Sequence, residues 1–123
     1  AIAAVEQKLG VRLPQALREL LLESDGVTAD NGSSVVWPLA DIQRRNQEFR
    51  RTESFRDLYM PFDHLLFFGD DGGGDQFAFA IQADGRIHNP DVFRWEHETD
   101  ARSWFASHLE SFFSHRLNQD HTV

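Results

Sequence analysis

Cysteine is absent from this chain of 123 residues. Its absence excludes disulfide frameworks, thiolate zinc sites, iron–sulfur clusters and cysteine nucleophiles. It is also typical of proteins in a reducing compartment, and we expect a cytoplasmic location. Apolar runs are short, as at Leu65–Phe68, and none is long enough to cross a bilayer. Residues 1–9 lack the charged start and the continuous apolar middle of a signal peptide.

Basic residues are scarce. Lysine and arginine total 12 against 20 aspartates and glutamates, which gives a formal net charge of −8 and an isoelectric point near 5.1. Nucleic-acid binding needs clustered positive charge, so this composition argues against a general nucleic-acid binder. It also disfavours binding to anionic membranes. An acidic protein instead attracts basic protein partners and accelerates their encounter, while the oligomeric state stays open.

The abundant residue types predict one packed domain. Hydrophobic residues make up 41% of the chain and include eleven phenylalanines and three tryptophans. A chain of this length can bury about two thirds of the surface that its unfolded form exposes, but it has no room for a second domain. We therefore expect a single domain over residues 1–117 and a frayed tail over residues 118–123.

The first half of the chain has the apolar periodicity of helices. Apolar residues at spacings of three and four predict a first helix that ends at Gly10, a second after Pro14 and a third after Pro38. A short strand, Val35–Trp37, precedes the third helix, and residues 52–63 are expected to form a loop. We interpret the polar face of the third helix as solvent-exposed, and it carries Arg44, Arg45, Arg50 and Arg51.

The second half has the alternation and turn signals of strands. Strands are predicted at Leu65–Phe68, at Phe77–Ile81 and at Val92–Trp95. A hairpin turn is predicted at Asp84-Gly85, followed by another extended segment at Arg86–His88. Because these strands follow one another through short links, we expect them to pair antiparallel.

A wide apolar stripe predicts a long C-terminal helix. Thr99 is a suitable N-cap, Asp100 suits the first turn, and apolar residues recur at helical spacing as far as Phe113. His108 lies on this stripe and is interpreted as a core histidine. The complete pattern predicts an α+β fold, with a mostly antiparallel sheet flanked by N-terminal helices and a C-terminal helix.

The most distinctive local signal is an acidic, glycine-rich segment between two predicted strands. It consists of Gly69, Asp70, Asp71, Gly72, Gly73, Gly74 and Asp75. Three interpretations stay open: a strand connection with glycines at positive φ, an edge that binds a partner, or carboxylates that hold a hard cation. The spacing does not match an EF-hand loop. The negative charges and the absence of a following lysine exclude a phosphate-binding loop.

A second candidate site lies at Glu96, His97 and Glu98. A histidine between carboxylates could transfer protons, whereas the other interpretation is an acidic cap at the start of the last helix. Trp37 and Trp95 could each anchor a partner or pack in the core. The sequence contains no Gly-x-Ser-x-Gly nucleophile motif, and we predict no catalytic residue, no metal and no cofactor.

Together these motifs resemble the SUKH superfamily, in particular its branch similar to the fungal Smi/Knr cell-wall regulators. The resemblance extends from about Ile2 to Phe113 and does not include residues 52–60. It implies an α+β fold and no established catalytic residues. The segments that carry it are Leu9-Gly10-Val11-Arg12-Leu13-Pro14, Leu20-Leu21-Leu22, Asp25-Gly26, Trp37-Pro38-Leu39, Leu66 to Asp75 and Trp95 to Thr99.

The resemblance also implies a function. Many bacterial members look like immunity proteins that neutralise polymorphic toxins, often nucleases, by binding them, whereas fungal members are regulatory interaction proteins. We therefore expect a non-catalytic immunity protein whose partner is a toxin domain such as a basic nuclease. Two alternatives stay open: a regulatory scaffold, and a metal-dependent hydrolase that uses the three aspartates and His97. The expected contact patch is Asp70, Asp71, Asp75, Glu96 and Glu98.

Overall fold

The computed structural model describes residues 1–29 and 32–121, without the side chains of residues 56 and 118–121. The α+β prediction is confirmed, with helices on both sides of antiparallel sheets. No helix in this part of the chain is long and apolar enough to cross a membrane. The elements are α1 (Ile2–Leu9), α2 (Gln15–Glu23), β1 (Val27–Thr28), β2 (Ser34–Val36), α3 (Leu39–Arg51), α4 (Glu53–Leu58), β3 (Leu65–Asp70), β4 (Gln76–Ala80), β5 (Val92–Trp95), β6 (Arg102–Ala106) and α5 (Leu109–His121).

Strands β3 to β6 form a four-stranded antiparallel meander in sequence order. The register aligns Phe67, Ala78, Phe93 and Trp104 in one row across the sheet. Directly opposed residues of antiparallel strands share a face, so this row alternates with rows on the other face. Strands β1 and β2 pair with each other as a separate two-stranded sheet.

Aromatic side chains pack helices onto both faces of the meander. On one face, α5 places the Phe112 ring 5.0 Å from the Phe77 ring. On the other face, α3 places the Phe49 ring 4.8 Å from Phe67 and 5.6 Å from Trp95. Each buried aromatic ring removes a large apolar area from water, so a few such contacts hold the three layers together.

The outer edge of β3 is closed by groups from elsewhere in the chain. Trp37 donates its backbone N–H to the Phe68 carbonyl at 2.8 Å. The Asn46 side chain accepts from the Phe67 N–H at 2.9 Å and donates to the Phe67 carbonyl at 2.8 Å, as a neighbouring strand would. Arg50 reaches a further β3 carbonyl at 3.5 Å. These bonds satisfy backbone groups that an edge strand otherwise leaves unpaired.

The interpretation of the α3 arginines as a solvent-exposed face is wrong for two of them. Arg50 donates to the last carbonyl of α1 at 2.9 Å, and burial lowers the pKa of its guanidinium. Arg45 is half-buried and lies over the Trp37 ring, 4.7 Å from its centroid. Positions that flank the apolar face of α3 are close to β3 and α1, and long arginine stems can span that distance. Arg44 and Arg51 are exposed as predicted.

The loop prediction for residues 52–63 is wrong for its first half, which forms α4. Phe55 of this helix stacks on Phe49 of α3 with ring centroids 5.3 Å apart. The short helix thus depends on a tertiary contact rather than on a strong periodic pattern of its own, which is why its sequence did not indicate it.

The predicted extended segment at Arg86–His88 is not a strand. Strand β4 pairs directly with β5, with Phe79 opposite Val92, so residues 81–91 extend beyond the sheet as a loop. The turn at its tip is present, and Gly85 has a φ of 82° there. The two-residue strand β1 was not predicted either, and it is held by its pairing with β2.

The prediction of a long C-terminal helix is wrong for the first part of that segment. Residues 102–106 form β6, and α5 begins at Leu109. Thr99 and Asp100 are not the start of a helix but lie in the tight connection between β5 and β6, where Asp100 has a φ of 61°. The apolar spacing of residues 102–106 fits both a helix and a strand. In the structure these residues pair with β5 as a strand.

His108 is exposed and caps α5, which corrects its interpretation as a core histidine. Its Nδ1 accepts from the Ser111 N–H at 3.1 Å, and the Ser111 hydroxyl accepts from the His108 N–H at 3.2 Å. This reciprocal pair satisfies backbone donors at the helix start, in the manner of a capping box. The predicted frayed tail, 118–123, lies partly in α5 and partly outside the described residues, so it stays a prediction.

Candidate functional site

The acidic, glycine-rich segment forms the tight connection between β3 and β4. The Asp71 N–H donates to the Asp75 carbonyl at 3.1 Å. The Asp71 carboxylate accepts from the N–H groups of Gly73 at 2.8 Å and Asp75 at 3.2 Å. Gly72 and Gly74 have φ values of 83° and 110°, which residues with a Cβ rarely adopt. The geometry is that of a strand connection built by its own aspartates and glycines.

Asp70 holds the side chain of Trp37. Its carboxylate accepts from the indole N–H at 2.7 Å and from the Gly72 N–H at 2.8 Å. Trp37 is 1% exposed, so it belongs to the core and is not available as a surface anchor. The bond between them fixes β2 against the end of β3, and it gives a buried indole the partner that it needs.

Arg94 of β5 lies between the other two aspartates of the connection. Its guanidinium donates to Asp75 Oδ2 from Nη2 at 2.8 Å and from Nε at 3.2 Å, and to Asp71 Oδ2 at 3.2 Å. These charge-assisted bonds are stronger than neutral ones and have a defined planar geometry. The carboxylates of Asp71 and Asp75 are therefore both paired with one cation of the same chain.

His97 completes this network. Asp75 Oδ1 accepts from the His97 backbone N–H at 3.1 Å and lies 2.6 Å from the ring Nδ1. A Cβ at Gly74 would come within 3.0 Å of the imidazole, so the glycine lets the ring lie against the turn. Burial by itself would raise the pKa of Asp75, but the hydrogen bonds from Arg94 and His97 outweigh it and hold that pKa below its ordinary value.

We expect Asp75→Asn to lower the free energy of unfolding by about 2 kcal/mol at pH 7, because the charge-assisted bonds from Arg94 and His97 are lost. The folded-state pKa of Asp75 is lowered from 3.8, so this stabilisation is complete above that value and disappears as the pH falls through the folded-state pKa. The difference between the two proteins should therefore begin to narrow as the pH falls below about 4 and should shrink further at lower pH.

Urea unfolding at pH 7 and at pH 3 measures this difference. Asp57→Asn is the matched control, since Asp57 is exposed on α4 and has no hydrogen bond or ion pair within the described part of the chain. An Asp75→Asn protein as stable as the control at pH 7, or a difference that persists unchanged at pH 3, contradicts the assignment.

A second polar network, which the sequence did not indicate, surrounds Asp100. Its carboxylate accepts from the Trp95 indole at 2.8 Å, from the Met60 N–H at 2.9 Å and from Arg102 Nη2 at 2.9 Å. Burial would raise the pKa of Asp100, yet these bonds together lower it. The network ties the segment after α4 to the connection between β5 and β6. The sequence pattern places Thr99 and Asp100 at the start of a helix, so it does not predict this role.

Glu96 and Glu98 are placed differently from the three aspartates. Glu98 is 83% exposed on its side chain, and its closest ionic contact is a distance of 3.9 Å to His97. The half-buried Glu96 side chain has no hydrogen bond or ion pair in the described residues. Of the five residues expected to contact a partner, these two have carboxylates that the fold does not already use.

The carboxylates of the connection are not arranged as a metal site. Within residues 1–29 and 32–121, no group of three or more histidine, aspartate or glutamate side chains is placed to hold a metal ion. Asp71 and Asp75 share Arg94, and Asp70 accepts from Trp37. A metal cation at Asp71 and Asp75 would have to displace the Arg94 guanidinium from them.

A family model described as the SMI1 / KNR4 family (SUKH-1) matches the chain over residues 1–115. The match includes the acidic connection and the segment from Glu96 to Glu98. Neither the curated proteins nor the solved structures give a significant match.

Proposed function

Because the chain belongs to the SMI1 / KNR4 family (SUKH-1), we propose that it is an immunity protein that binds a toxin domain and neutralises it. The observation that carries this proposal is the family match over residues 1–115. Such a protein acts by binding and needs no catalytic residue, metal or cofactor. We propose that it works in the cytoplasm, where a chain without cysteine is at no disadvantage.

The charge of the chain supports a basic partner. Its formal net charge is −8, and carboxylates such as those of Glu98 and Glu110 are exposed. An acidic surface attracts a basic protein and can occupy the cleft in which a nuclease binds phosphates. A basic nuclease domain is therefore the kind of toxin that we propose as the partner.

Growth of cells that express a candidate toxin domain, such as a basic nuclease, with and without this chain tests the proposal. Expression of the toxin alone should stop growth, and co-expression of the chain should restore it through a complex that survives purification. A folded chain that neither binds nor protects overturns the proposal. A tight complex that gives no protection would instead favour the regulatory scaffold.

If the expected contact patch, which includes Glu96 and Glu98, attracts the toxin domain, the association rate should depend on salt. The double variant Glu96→Gln with Glu98→Gln should associate with the toxin domain a few-fold more slowly at low ionic strength and lose part of the salt dependence. These two positions are preferred to the aspartates, whose substitution would disturb the fold. Stopped-flow or surface-binding kinetics measure the rates.

The control for these kinetics is Glu19→Gln with Glu23→Gln, which removes the same number of charges from two exposed carboxylates of α2. It should change the association rate less than the changes at Glu96 and Glu98. Equal effects of both changes would mean that the net charge acts over the whole molecule, and would remove Glu96 and Glu98 from the contact patch.

A further inference from the structure

The two edge strands of the meander, β3 and β6, differ in whether their outer backbone groups are hydrogen-bonded. The outer edge of β3 is closed by Trp37, Asn46 and Arg50. Strand β6 pairs with β5 on its inner side, and no backbone hydrogen bond reaches its outer side from the rest of the described chain. An open edge of this kind is a template for another strand.

A preordered tryptophan lies on the open edge. Trp104 of β6 is 57% exposed, whereas Trp37 and Trp95 are 1% and 3% exposed. Its indole N–H donates to Asp91 Oδ1 at 3.2 Å, and the residue stands opposite Phe93 of β5. Solvent exposure of so large a ring is unusual for a small domain, and tryptophan is the residue type most enriched at binding hot spots.

The chain segments that flank β6 carry unpaired acidic side chains. Asp91 contacts Trp104, Glu98 lies in the connection between β5 and β6, and Glu110 lies in the first turn of α5. None of these carboxylates forms an ion pair with lysine or arginine within the described residues. The one arginine of the strand, Arg102, has a side chain only 9% exposed and is paired with Asp100. Charge complementarity at this edge therefore calls for a positively charged partner.

We propose that the outer edge of β6 is the docking site for the partner, and that an extended basic segment of the partner pairs with it as a fifth strand. Main-chain hydrogen bonds to β6 supply affinity, and one face of the added strand covers Trp104. Lysine or arginine side chains of the segment lie against the surrounding carboxylates. The identity of the partner as a toxin rests on the proposed function, but the surface does not.

The regular pairing of β6 limits the length of the added strand. The register with β5 is continuous from Arg102 to Trp104 and shifts between Val92 and Phe93. A bulge of this kind twists an edge and ends regular pairing. The added strand therefore pairs mainly with the first half of β6, beside the Trp104 ring.

The surface can be tested with defined peptides. The probe is a short synthetic peptide that alternates lysine with valine, and its control alternates lysine with proline at the same charge, because proline cannot donate to a strand. The first peptide should protect Trp104 from acrylamide quenching and slow amide exchange in residues 102–106. Since the other two tryptophans are buried, loss of quenching reports on Trp104.

We expect Trp104→Ala to weaken binding of the lysine–valine peptide by about tenfold or more while the protein stays folded. Leu22→Ala is the matched control, since Leu22 of α2 is 76% exposed and its loss removes apolar surface far from β6 in the chain. It should leave binding unchanged. Equal binding of both peptides, or equal effects of both variants, overturns the proposal.

Three further outcomes test the surface and the function separately. If the chain forms a dimer that buries Trp104, a second copy occupies the edge and the proposal of a basic partner is wrong. If a toxin domain is neutralised while Trp104 stays fully quenchable in the complex, the function is right and the surface is wrong. Peptide docking at β6 without any protection against the toxin supports the surface and contradicts the immunity function.

Discussion

Gly69→Ala is expected to lower the free energy of unfolding by about 3 kcal/mol or more, because β2 passes directly over Gly69. A Cβ at this position would lie well inside the van der Waals radius of the Val35 carbonyl oxygen and 2.9 Å from the Val35 carbonyl carbon. These are backbone atoms of β2, so they can move only if the strand moves. Trp37, which directly follows β2, donates its backbone N–H to the Phe68 carbonyl of β3 at 2.8 Å. Movement of β2 would lengthen this bond.

Gly73→Ala is the matched control from the same acidic connection. A Cβ at Gly73 would meet Asp71 Oδ1 at 3.5 Å, which is ordinary contact, and its φ is not in the left-handed region. We expect this variant to change stability by less than about 0.5 kcal/mol. Urea denaturation and thermal unfolding compare the two, and a loss of 3 kcal/mol should lower the melting temperature by about 10 °C. Equal stability of both variants contradicts the packing argument.

The role of Gly69 could not be predicted because it depends on a residue far away in sequence. The glycines of the acidic segment indicated a turn, and Gly72 and Gly74 do lie in one at positive φ. Gly69, however, lies within β3, and its lack of a side chain serves the close approach of Val35. Local patterns report local conformation, whereas the approach of two strands is a tertiary property.

The dependence on tertiary contacts also explains why the C-terminal helix was predicted to be too long. Residues 99–113 carry apolar side chains at spacings that fit a helix, but the segment also fits a short strand followed by a helix. In the structure, Phe105 of β6 lies on the face of the sheet that packs against α5, with its ring 4.8 Å from that of Phe77. Trp104 lies on the opposite face, in the row of Phe93. The pairing of Ala106 with Val92 decides between the two possibilities, and no pattern within the segment contains it.

The acidic connection was found from sequence, but its bonding was not. The composition indicated a turn with carboxylates, and three uses of those carboxylates stayed open. The partners that settle their contacts are distant: Trp37 precedes Asp70 by 33 residues, and Arg94 follows Asp71 by 23. Charge counting treated Asp71 and Asp75 as surface charge, whereas the fold pairs them with an arginine of its own.

Asn46→Ala is expected to destabilise the protein by about 3 kcal/mol, because it leaves two backbone groups of β3 buried without partners. Asn46 is 1% exposed, accepts from the Phe67 N–H at 2.9 Å and donates to the Phe67 carbonyl at 2.8 Å. Each orphaned group costs about 1–3 kcal/mol. Gln47→Ala on the next position of α3 is the control, since the Gln47 side chain forms no hydrogen bond in the described residues.

Asn46→Leu separates lost hydrogen bonds from lost volume. Leucine fills the space of the asparagine but can neither donate nor accept, so Phe67 would lose the same two bonds as in Asn46→Ala. If closure of the β3 edge is what Asn46 provides, both variants lose similar stability in urea denaturation, and the exchange of the Phe67 amide accelerates in both. If Asn46→Leu is as stable as the wild type, the residue only fills space. The closure of the β3 edge would then depend on the bonds from Trp37 and Arg50 alone.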